Sequence, residues 1–433
     1  MKKLLFAFLA TGLVQLTNFA SGIILARMLE PAARGEVAQI IAWFSFFTSI
    51  LLLGINDSIT FHRSRNETEG SGAMSAALLL SVPLIAMSVL CCLGVIFAVF
   101  PRMSTPSLSA AWLFLLFPPL WQWQQIFYSY FQAGSNAFIW TSLRVVPGVV
   151  YIAGLLLIIQ LGIACPLTFV AANLVGLALV LSISLGIVLW SGTRLHWPPQ
   201  GMIRRVFSFG LPLVSQRVAL ACRDTLDRIV LPFFVISSAL GHYVVASSVA
   251  YLIYVAGMTV DLVGFPAMAR APNDEARRRI AEFLISVTVC GLVVLVALLT
   301  LIREPVVLLL FGPDYAASVD LVPWFLVAGA AQAIRIVIGG AYKAFDRGRS
   351  MARFELAGTI VMAMILVGAT TQFGTLAGAF AHLASALVSL GMAFYGCVTV
   401  LKLSPRHVFL PRKSELISVF KDFGVAFRRM REG

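Results

Sequence analysis

Five ionisable side chains lie within one apolar stretch, residues 211–234, whose sequence is LPLVSQRVALACRDTLDRIVLPFF. They are Arg217, Arg223, Asp224, Asp227 and Arg228. The stretch is long enough to cross a bilayer, where charged side chains are costly and typical of functional sites. A guanidinium keeps its charge in a dry site, and its planar fork binds two phosphate oxygens. These residue types therefore indicate an anionic ligand such as a pyrophosphate.

The same charges allow a second interpretation, in which they neutralise one another. Arg223 and Asp227 are four residues apart, as are Asp224 and Arg228. Side chains at this spacing meet on one face of a helix. Both interpretations stay open for these four residues.

Arg217 and Arg335 have no acid three or four residues away, which makes them the stronger candidates for binding an anion. The amides of Gln216, Gln15 and Asn18 are further polar groups within apolar stretches. We expect these side chains to contribute to the same substrate site.

Carboxylates in apolar stretches are candidates for binding a coupling ion, H⁺ or Na⁺. Asp57 and Asp261 each lie late in such a stretch, where capping or anchoring a helix is an equally good explanation. Asp224 and Asp227 are further ion-coupling candidates. No GxxxxGK[ST], HExxH or GxSxG motif occurs, so we expect no catalytic residue, metal site or cofactor.

The composition is that of a polytopic membrane protein. Of 433 residues, 60% are hydrophobic and 12% are charged, and the mean hydropathy is +0.93. A soluble domain has about half apolar and a quarter charged residues. The apolar runs are continuous and as long as helices, unlike the alternating strands of a membrane barrel. The sequence thus predicts an all-α integral membrane protein.

Twelve transmembrane helices are predicted at about 20 residues per span. They cover residues 5–26, 37–60, 73–99, 108–131, 143–161, 166–190, 209–234, 243–266, 281–302, 321–342, 354–372 and 375–401. With a cytoplasmic N-terminus, 24 of the 32 Lys and Arg residues fall on the cytoplasmic side and four on the other side. The positive-inside rule therefore predicts that both termini are cytoplasmic.

A weak internal repeat divides the predicted spans into two six-helix lobes. Leu25–Arg27, followed by Gly35, corresponds to Leu226–Arg228, followed by Gly241. We predict an N-terminal lobe over residues 1–200 and a C-terminal lobe over 201–404, pseudo-symmetric around a central cavity. Such transporters bind substrate between their halves. Residues 405–433 are predicted to form a basic amphipathic tail on the cytoplasmic membrane surface.

Several stretches, in this order, are similar to those of a known family. They are GIILARMLEP at 22–31, Ser215-Gln216 with Asp227-Arg228, GHYVVA at 241–246, FP at 265–266, FGPDY at 311–315 and GTLAGA at 374–379. On these residues the chain resembles Wzx-type lipid-linked oligosaccharide flippases, which are polysaccharide transporters of the multidrug/oligosaccharidyl-lipid/polysaccharide (MOP) exporter superfamily.

The resemblance implies two lobes around a cationic cavity in which the arginines receive a pyrophosphate. It implies transfer of an undecaprenyl-pyrophosphate-linked oligosaccharide across the bacterial inner membrane by alternating access. An ion gradient, rather than ATP hydrolysis, would drive the transfer. The expected partners are membrane lipids, H⁺ or Na⁺, and a polysaccharide polymerase or assembly proteins, with no nucleic acid.

Three other functions are weighed against this one. A multidrug or toxin extrusion antiporter requires a cavity dominated by acids, whereas arginines at least match acids within the predicted spans. A membrane-embedded glycan polymerase commonly needs a large extramembrane loop, and the loop at 303–320 is short. Lipid II flippases of the superfamily usually have more than twelve helices, which disfavours that role.

Overall fold

The computed structural model describes residues 2–65, 67–134, 137–191, 197–347 and 349–409, without the side chains of residues 2–10, 67, 68, 137, 216 and 349. Within these ranges the chain is helical and has no β-strand. The α-helices are α1 Lys2–Met28, α2 Pro31–Ile50, α3 Ile55–Arg65, α4 Glu67–Ala98, α5 Thr105–Leu113, α6 Phe117–Ala133, α7 Ala137–Leu161, α8 Pro166–Trp190, α9 Met202–Gly210, α10 Val214–Val230, α11 Ser237–Ala269, α12 Asp274–Leu301, α13 Arg303–Phe311, α14 Val322–Ala344, α15 Arg349–Phe373, α16 Thr375–Thr399 and α17 Pro405–Phe409. Beyond α17, the predicted amphipathic tail lies outside the described residues.

Helices occupy every predicted span, and the predicted all-α membrane fold is confirmed. Among the described residues, eight single helices are long and apolar enough to cross a bilayer: α4, α7, α8, α11, α12, α14, α15 and α16. Helices α2 and α3 meet that requirement together, as one span bent by 48°. The predicted spans at 5–26, 108–131 and 209–234 correspond to α1, α5 with α6, and α9 with α10. The count of twelve therefore stays a prediction.

The bend between α2 and α3 is a turn with left-handed backbone. Backbone φ is +49° at Leu53 and +70° at Gly54, and glycine adopts this conformation without steric cost. A Cβ on Gly54 would lie 2.9 Å from the carbonyl oxygen of Gly210. The two glycines therefore allow the turn to approach the end of α9.

Helix α10 is bounded by two 3₁₀ turns that each contain a proline, Leu211–Leu213 and Leu231–Phe233. Proline lacks the N–H that would continue the preceding α-helical bonding. The span predicted at 209–234 is therefore divided at both ends, and its α-helical part runs from Val214 to Val230. Arg217 lies in the first turn of α10 and Arg228 in its last turn.

The described helices form two compact units. The first comprises the chain up to Ser248, Val307–Val319 and Ala363–Gly378; the second comprises Val249–Val306, Asp320–Met362 and the chain from Ala379. In the first unit α1 packs on α7, α7 on α8, α2 on α10, and α3 on α4 and α6. In the second unit α12 packs on α14 and α17. The two predicted lobes are defined by an internal repeat, whereas the two units are defined by how closely their residues pack. The lobes therefore stay a prediction.

Two glycines of the predicted repeat meet at a reciprocal backbone contact between α2 and α11. A Cβ on Gly35 would collide with the carbonyl oxygen of Ser237 and lie 3.0 Å from the amide nitrogen of Gly241. A Cβ on Gly241 would collide with the carbonyl oxygen of Pro31. Each glycine thus packs on the carbonyl of the residue four positions before the other glycine. A two-fold repeat in which the two glycines are equivalent would have such a reciprocal contact.

Gly35→Ala is expected to lower the free energy of unfolding by about 1–3 kcal/mol, because the new methyl group meets backbone atoms that cannot rotate away. Gly22→Ala is the matched control, since nothing lies within 4 Å of a Cβ at that helical position. Thermal unfolding in detergent measures both variants. Equal melting temperatures for the two would contradict the close contact.

Candidate functional site

Arg217 forms an ion pair with Asp57 of α3. Its Nη2 lies 2.5 Å from Asp57 Oδ2 and 3.0 Å from Asn56 Oδ1. Both charged side chains are partly exposed, 25% for Arg217 and 43% for Asp57. Arg217 has no acid three or four residues away, but Asp57, 160 positions away in the sequence, supplies one from another helix. The pair brings together a predicted ligand residue and a predicted ion-coupling residue.

Arg335 of α14 forms a buried ion pair with Glu355 of α15. Its Nη1 is 2.5 Å from Glu355 Oε2, and its Nη2 is 3.4 Å from Oε1. The Gln332 Oε1 atom also accepts from Nε at 3.0 Å and from Nη2 at 2.8 Å. The two charged side chains are 8% and 9% exposed. Here too the acid comes from another helix, and Glu355, the single acid of the predicted span 354–372, was the available signal.

The other charges of α10 contact one another and Tyr243 of α11. Arg223 Nε donates to Asp224 Oδ1 at 2.8 Å. Arg228 donates to the main-chain carbonyl of Asp224 at 2.6 Å, and its Nε is 3.8 Å from Asp227 Oδ1. The Tyr243 hydroxyl donates to Asp227 Oδ2 at 2.9 Å. Of the two i,i+4 pairs considered for self-neutralisation, Asp224 and Arg228 thus meet through the main-chain carbonyl of Asp224, whose exposed carboxylate pairs with Arg223.

The predicted amide ligands lie on two helices of the first unit. Gln15 is half-buried on α1, and Asn18 is exposed on the same helix. Gln216 is a residue of α10 whose side chain lies outside the described part of the chain. A role of these three amides in substrate binding stays a prediction.

Asp261 of α11 is paired with a lysine at the end of α14. Lys343 Nζ lies 3.4 Å from Asp261 Oδ2, while Oδ1 is buried and has no hydrogen-bond partner among the described residues. Gly340 makes room for this carboxylate, which a Cβ there would meet. In the part of the chain that the structure describes, no three His, Cys, Asp or Glu side chains are grouped to hold a metal ion. A role of Asp261 in coupling to H⁺ or Na⁺ stays a prediction.

Two charged residues that the sequence analysis assigned to a loop are buried in α2. Glu36 accepts hydrogen bonds from the amide of Ser104 at 3.1 Å and from its hydroxyl at 2.5 Å, just before α5 begins. Arg34 is 8% exposed, and its Nε is buried without a hydrogen-bond partner. Pro31 was the available signal, because proline is favoured in the first turn of a helix.

A family model described as "Polysaccharide biosynthesis protein" matches residues 1–272. This range includes α2, α3 and α10, and so the Arg217–Asp57 pair and the other charges of α10. No curated protein matches the chain.

Solved structures of MOP superfamily transporters are similar to the chain over most of its length. A lipid II flippase MurJ in an inward closed conformation is 14% identical, with a TM-score of 0.74 over 93% of this chain and 89% of that chain. An inward-facing MATE family multidrug resistance transporter is 13% identical, with a TM-score of 0.70 over 90% and 95%. A MOP superfamily transporter from Pyrococcus furiosus, reported to have a binding pocket of reverse polarity, is 15% identical, with a TM-score of 0.62 over 93% and 95%. At these identities the similarity establishes the MOP fold.

Proposed function

Because the chain belongs to the polysaccharide biosynthesis protein family, we propose that it is a flippase for a lipid-linked oligosaccharide. The substrate is an oligosaccharide on undecaprenyl pyrophosphate, moved from the inner to the outer leaflet of the bacterial inner membrane. Membrane lipids surround the protein, and a polysaccharide polymerase or assembly proteins take up the product. Both termini are cytoplasmic, in agreement with the distribution of Lys and Arg.

The observation that carries the proposal is that two arginines within predicted spans are each paired with an acid from another helix. Arg335 is held by Glu355 and Arg217 by Asp57. A pyrophosphate offers the same planar oxygen pairs as a carboxylate and more negative charge, so it competes for the guanidinium. Substrate binding then exchanges a carboxylate for a phosphate oxygen.

Alternating access of two six-helix lobes provides the movement. The reciprocal contact of Gly35 and Gly241 supports the repeat on which these lobes are based. Repeated transporters change access by rocking one half against the other around a central site. The turn at Leu53 and Gly54 is a break in a membrane helix, of the kind that lines such sites.

Coupling to H⁺ or Na⁺ uses the acids that hold the arginines. Protonation of Asp57, or its binding of Na⁺, removes the charge that retains Arg217 and frees the guanidinium for substrate. Asp261, Asp224 and Asp227 are the further coupling candidates, each with a cationic or phenolic partner.

Asp57→Asn is expected to abolish the response of transport to a pH or Na⁺ gradient, a loss of about tenfold in driven rate, or ~1.4 kcal/mol. The amide cannot exchange a proton, so the state of Arg217 no longer depends on the gradient. Transport in proteoliposomes with imposed gradients measures this response. Asp274→Asn, at an exposed carboxylate of α12, is the control and is expected to respond as the wild type does. A gradient response retained by Asp57→Asn would exclude this carboxylate from coupling.

A multidrug cation antiporter is the second candidate, because a MATE family transporter shares the fold. Organic cations need carboxylates that are available to them. Asp57 and Glu355 each hold an arginine, and Asp227 is hydrogen-bonded by Tyr243, which favours an anionic substrate. Transport of a pyrophosphate-linked glycan and of an organic cation by the same proteoliposomes separates the two functions.

A further inference from the structure

Arg34 is a buried arginine of α2 that forms no ion pair with any residue that the structure describes. Its residue is 8% exposed, and its Nε is buried without a hydrogen-bond partner. Arg217 and Arg335, by contrast, are each paired with an acid. A charge taken out of water without a partner is strongly destabilising, so an arginine in this position needs an anion to stabilise it.

The surroundings of Arg34 are positive. It lies in the first turn of α2, which contains no acid, and a helix N-terminus carries partial positive charge. The first turn of α11 packs against this turn through Gly35 and Gly241 and adds a second N-terminus. Arg228, at the end of α10, lies within electrostatic range of Arg34, together with Tyr151 and Tyr315.

The acids near Arg34 in the sequence or the fold form no ion pair with it among the described residues. Glu36 is bound by the amide and the hydroxyl of Ser104, and Asp227 accepts from Tyr243 and lies 3.8 Å from Arg228. Glu30, which precedes α2, is exposed and makes no side-chain capping bond to it. Arg228 is therefore balanced by Asp227, whereas Arg34, beside two helix N-termini, forms no ion pair with a carboxylate among the described residues.

We propose that Arg34, with Arg228, binds a phosphate or pyrophosphate group. Helix N-termini bind such anions through free N–H groups, and an arginine fork adds two charged donors. Along the continuous helix α10, Arg228 lies about 16 Å from Arg217, at 1.5 Å per residue. This inference rests on the proposed flippase function. It places a second phosphate-binding position near the end of α10 opposite to Arg217, where the pyrophosphate of the substrate arrives before release.

Thermal unfolding of the purified full-length protein in detergent, titrated with inorganic pyrophosphate, tests the site. The wild type is expected to gain several degrees in melting temperature. Arg34→Gln is expected to melt higher than the wild type without pyrophosphate, because an uncompensated buried charge is removed, and to gain nothing on its addition. Arg34→Lys keeps the charge but loses the fork, and we expect its apparent affinity for pyrophosphate to fall about tenfold.

Arg102→Gln, at an exposed arginine outside the described helices, is the matched control and is expected to respond as the wild type does. Sodium chloride at equal ionic strength controls for screening. The site is overturned if pyrophosphate leaves the wild type unchanged, or stabilises Arg34→Gln and Arg34→Lys as strongly as the wild type.

Nanodiscs distinguish the two sources of the phosphate. If phosphatidylglycerol, compared with phosphatidylcholine, abolishes the pyrophosphate effect on the wild type, the site takes a phospholipid headgroup. If the effect persists in both lipids, the site takes the pyrophosphate of the substrate. If the wild type binds pyrophosphate through Arg34 but moves no lipid-linked glycan, the proposed flippase function is wrong and the Arg34 site still stands. If the glycan moves normally and both Arg34 variants respond to pyrophosphate as the wild type does, the Arg34 site is wrong and the flippase function still stands.

Discussion

Arg335→Ala is expected to lower the free energy of unfolding by about 3–5 kcal/mol, because it leaves the Glu355 carboxylate buried without its cation. The Gln332 amide oxygen also loses two donated hydrogen bonds. Thermal unfolding in detergent and the amount of protein in the membrane measure this loss. From the sequence alone, the expectation would be lost export from a protein that still inserts and accumulates; the buried ion pair adds a loss of stability.

A double variant separates the two roles of Arg335. In Arg335→Gln with Glu355→Gln, no buried charge remains and the amides can still hydrogen-bond, so most of the stability is expected to return. Export is expected to stay at least tenfold below the wild type, because no guanidinium remains to bind the pyrophosphate. Normal export by the stable double variant would mean that Arg335 is structural and binds no substrate.

Arg217→Gln is expected to reduce export far more than it reduces stability. The Arg217–Asp57 pair is partly exposed, and such pairs contribute about 0–1 kcal/mol to stability. A hydrogen bond from a charged group to a substrate contributes about 1.5–3 kcal/mol, which corresponds to a fall in export of roughly tenfold to a hundredfold. Export and melting temperature of the same preparation are the two measurements.

Arg204→Gln is the matched control for Arg217, since Arg204 is an exposed arginine of the neighbouring helix α9. We expect wild-type export from this variant. A parallel fall of export in both variants would assign the effect to net charge, and unchanged export in Arg217→Gln would remove Arg217 from the substrate site.

The membrane fold was predictable because hydropathy and helix length depend on local sequence. The long runs that became α8, α14 and α16 have nearly the predicted ends. The partners of the arginines were not predictable by the same reasoning. Spacing along one helix reveals contacts three or four residues apart, whereas Asp57 and Glu355 approach from other helices, 160 and 20 positions away.

The position of Arg34 depends on where helix α2 begins, and the predicted start was too late in the sequence. The second span was predicted to begin at residue 37, which assigned Arg34 and Glu36 to a loop. Pro31 begins α2, because the first turn of a helix does not need the N–H that proline lacks. Both charges are therefore helical and buried. The burial of Arg34 depends on packing between segments that are distant in the sequence. The two glycines of the repeat are the sequence feature that indicates this packing.

The most direct test of the proposed function is a leaflet assay in proteoliposomes that contain a fluorescent oligosaccharide on undecaprenyl pyrophosphate. A membrane-impermeant quencher measures the fraction of glycan in the outer leaflet over time. We predict that wild-type protein equilibrates the glycan between leaflets, that the Arg335→Gln, Glu355→Gln double variant does not, and that an organic cation is not transported. Transport of the organic cation with no movement of the glycan would contradict the proposed function.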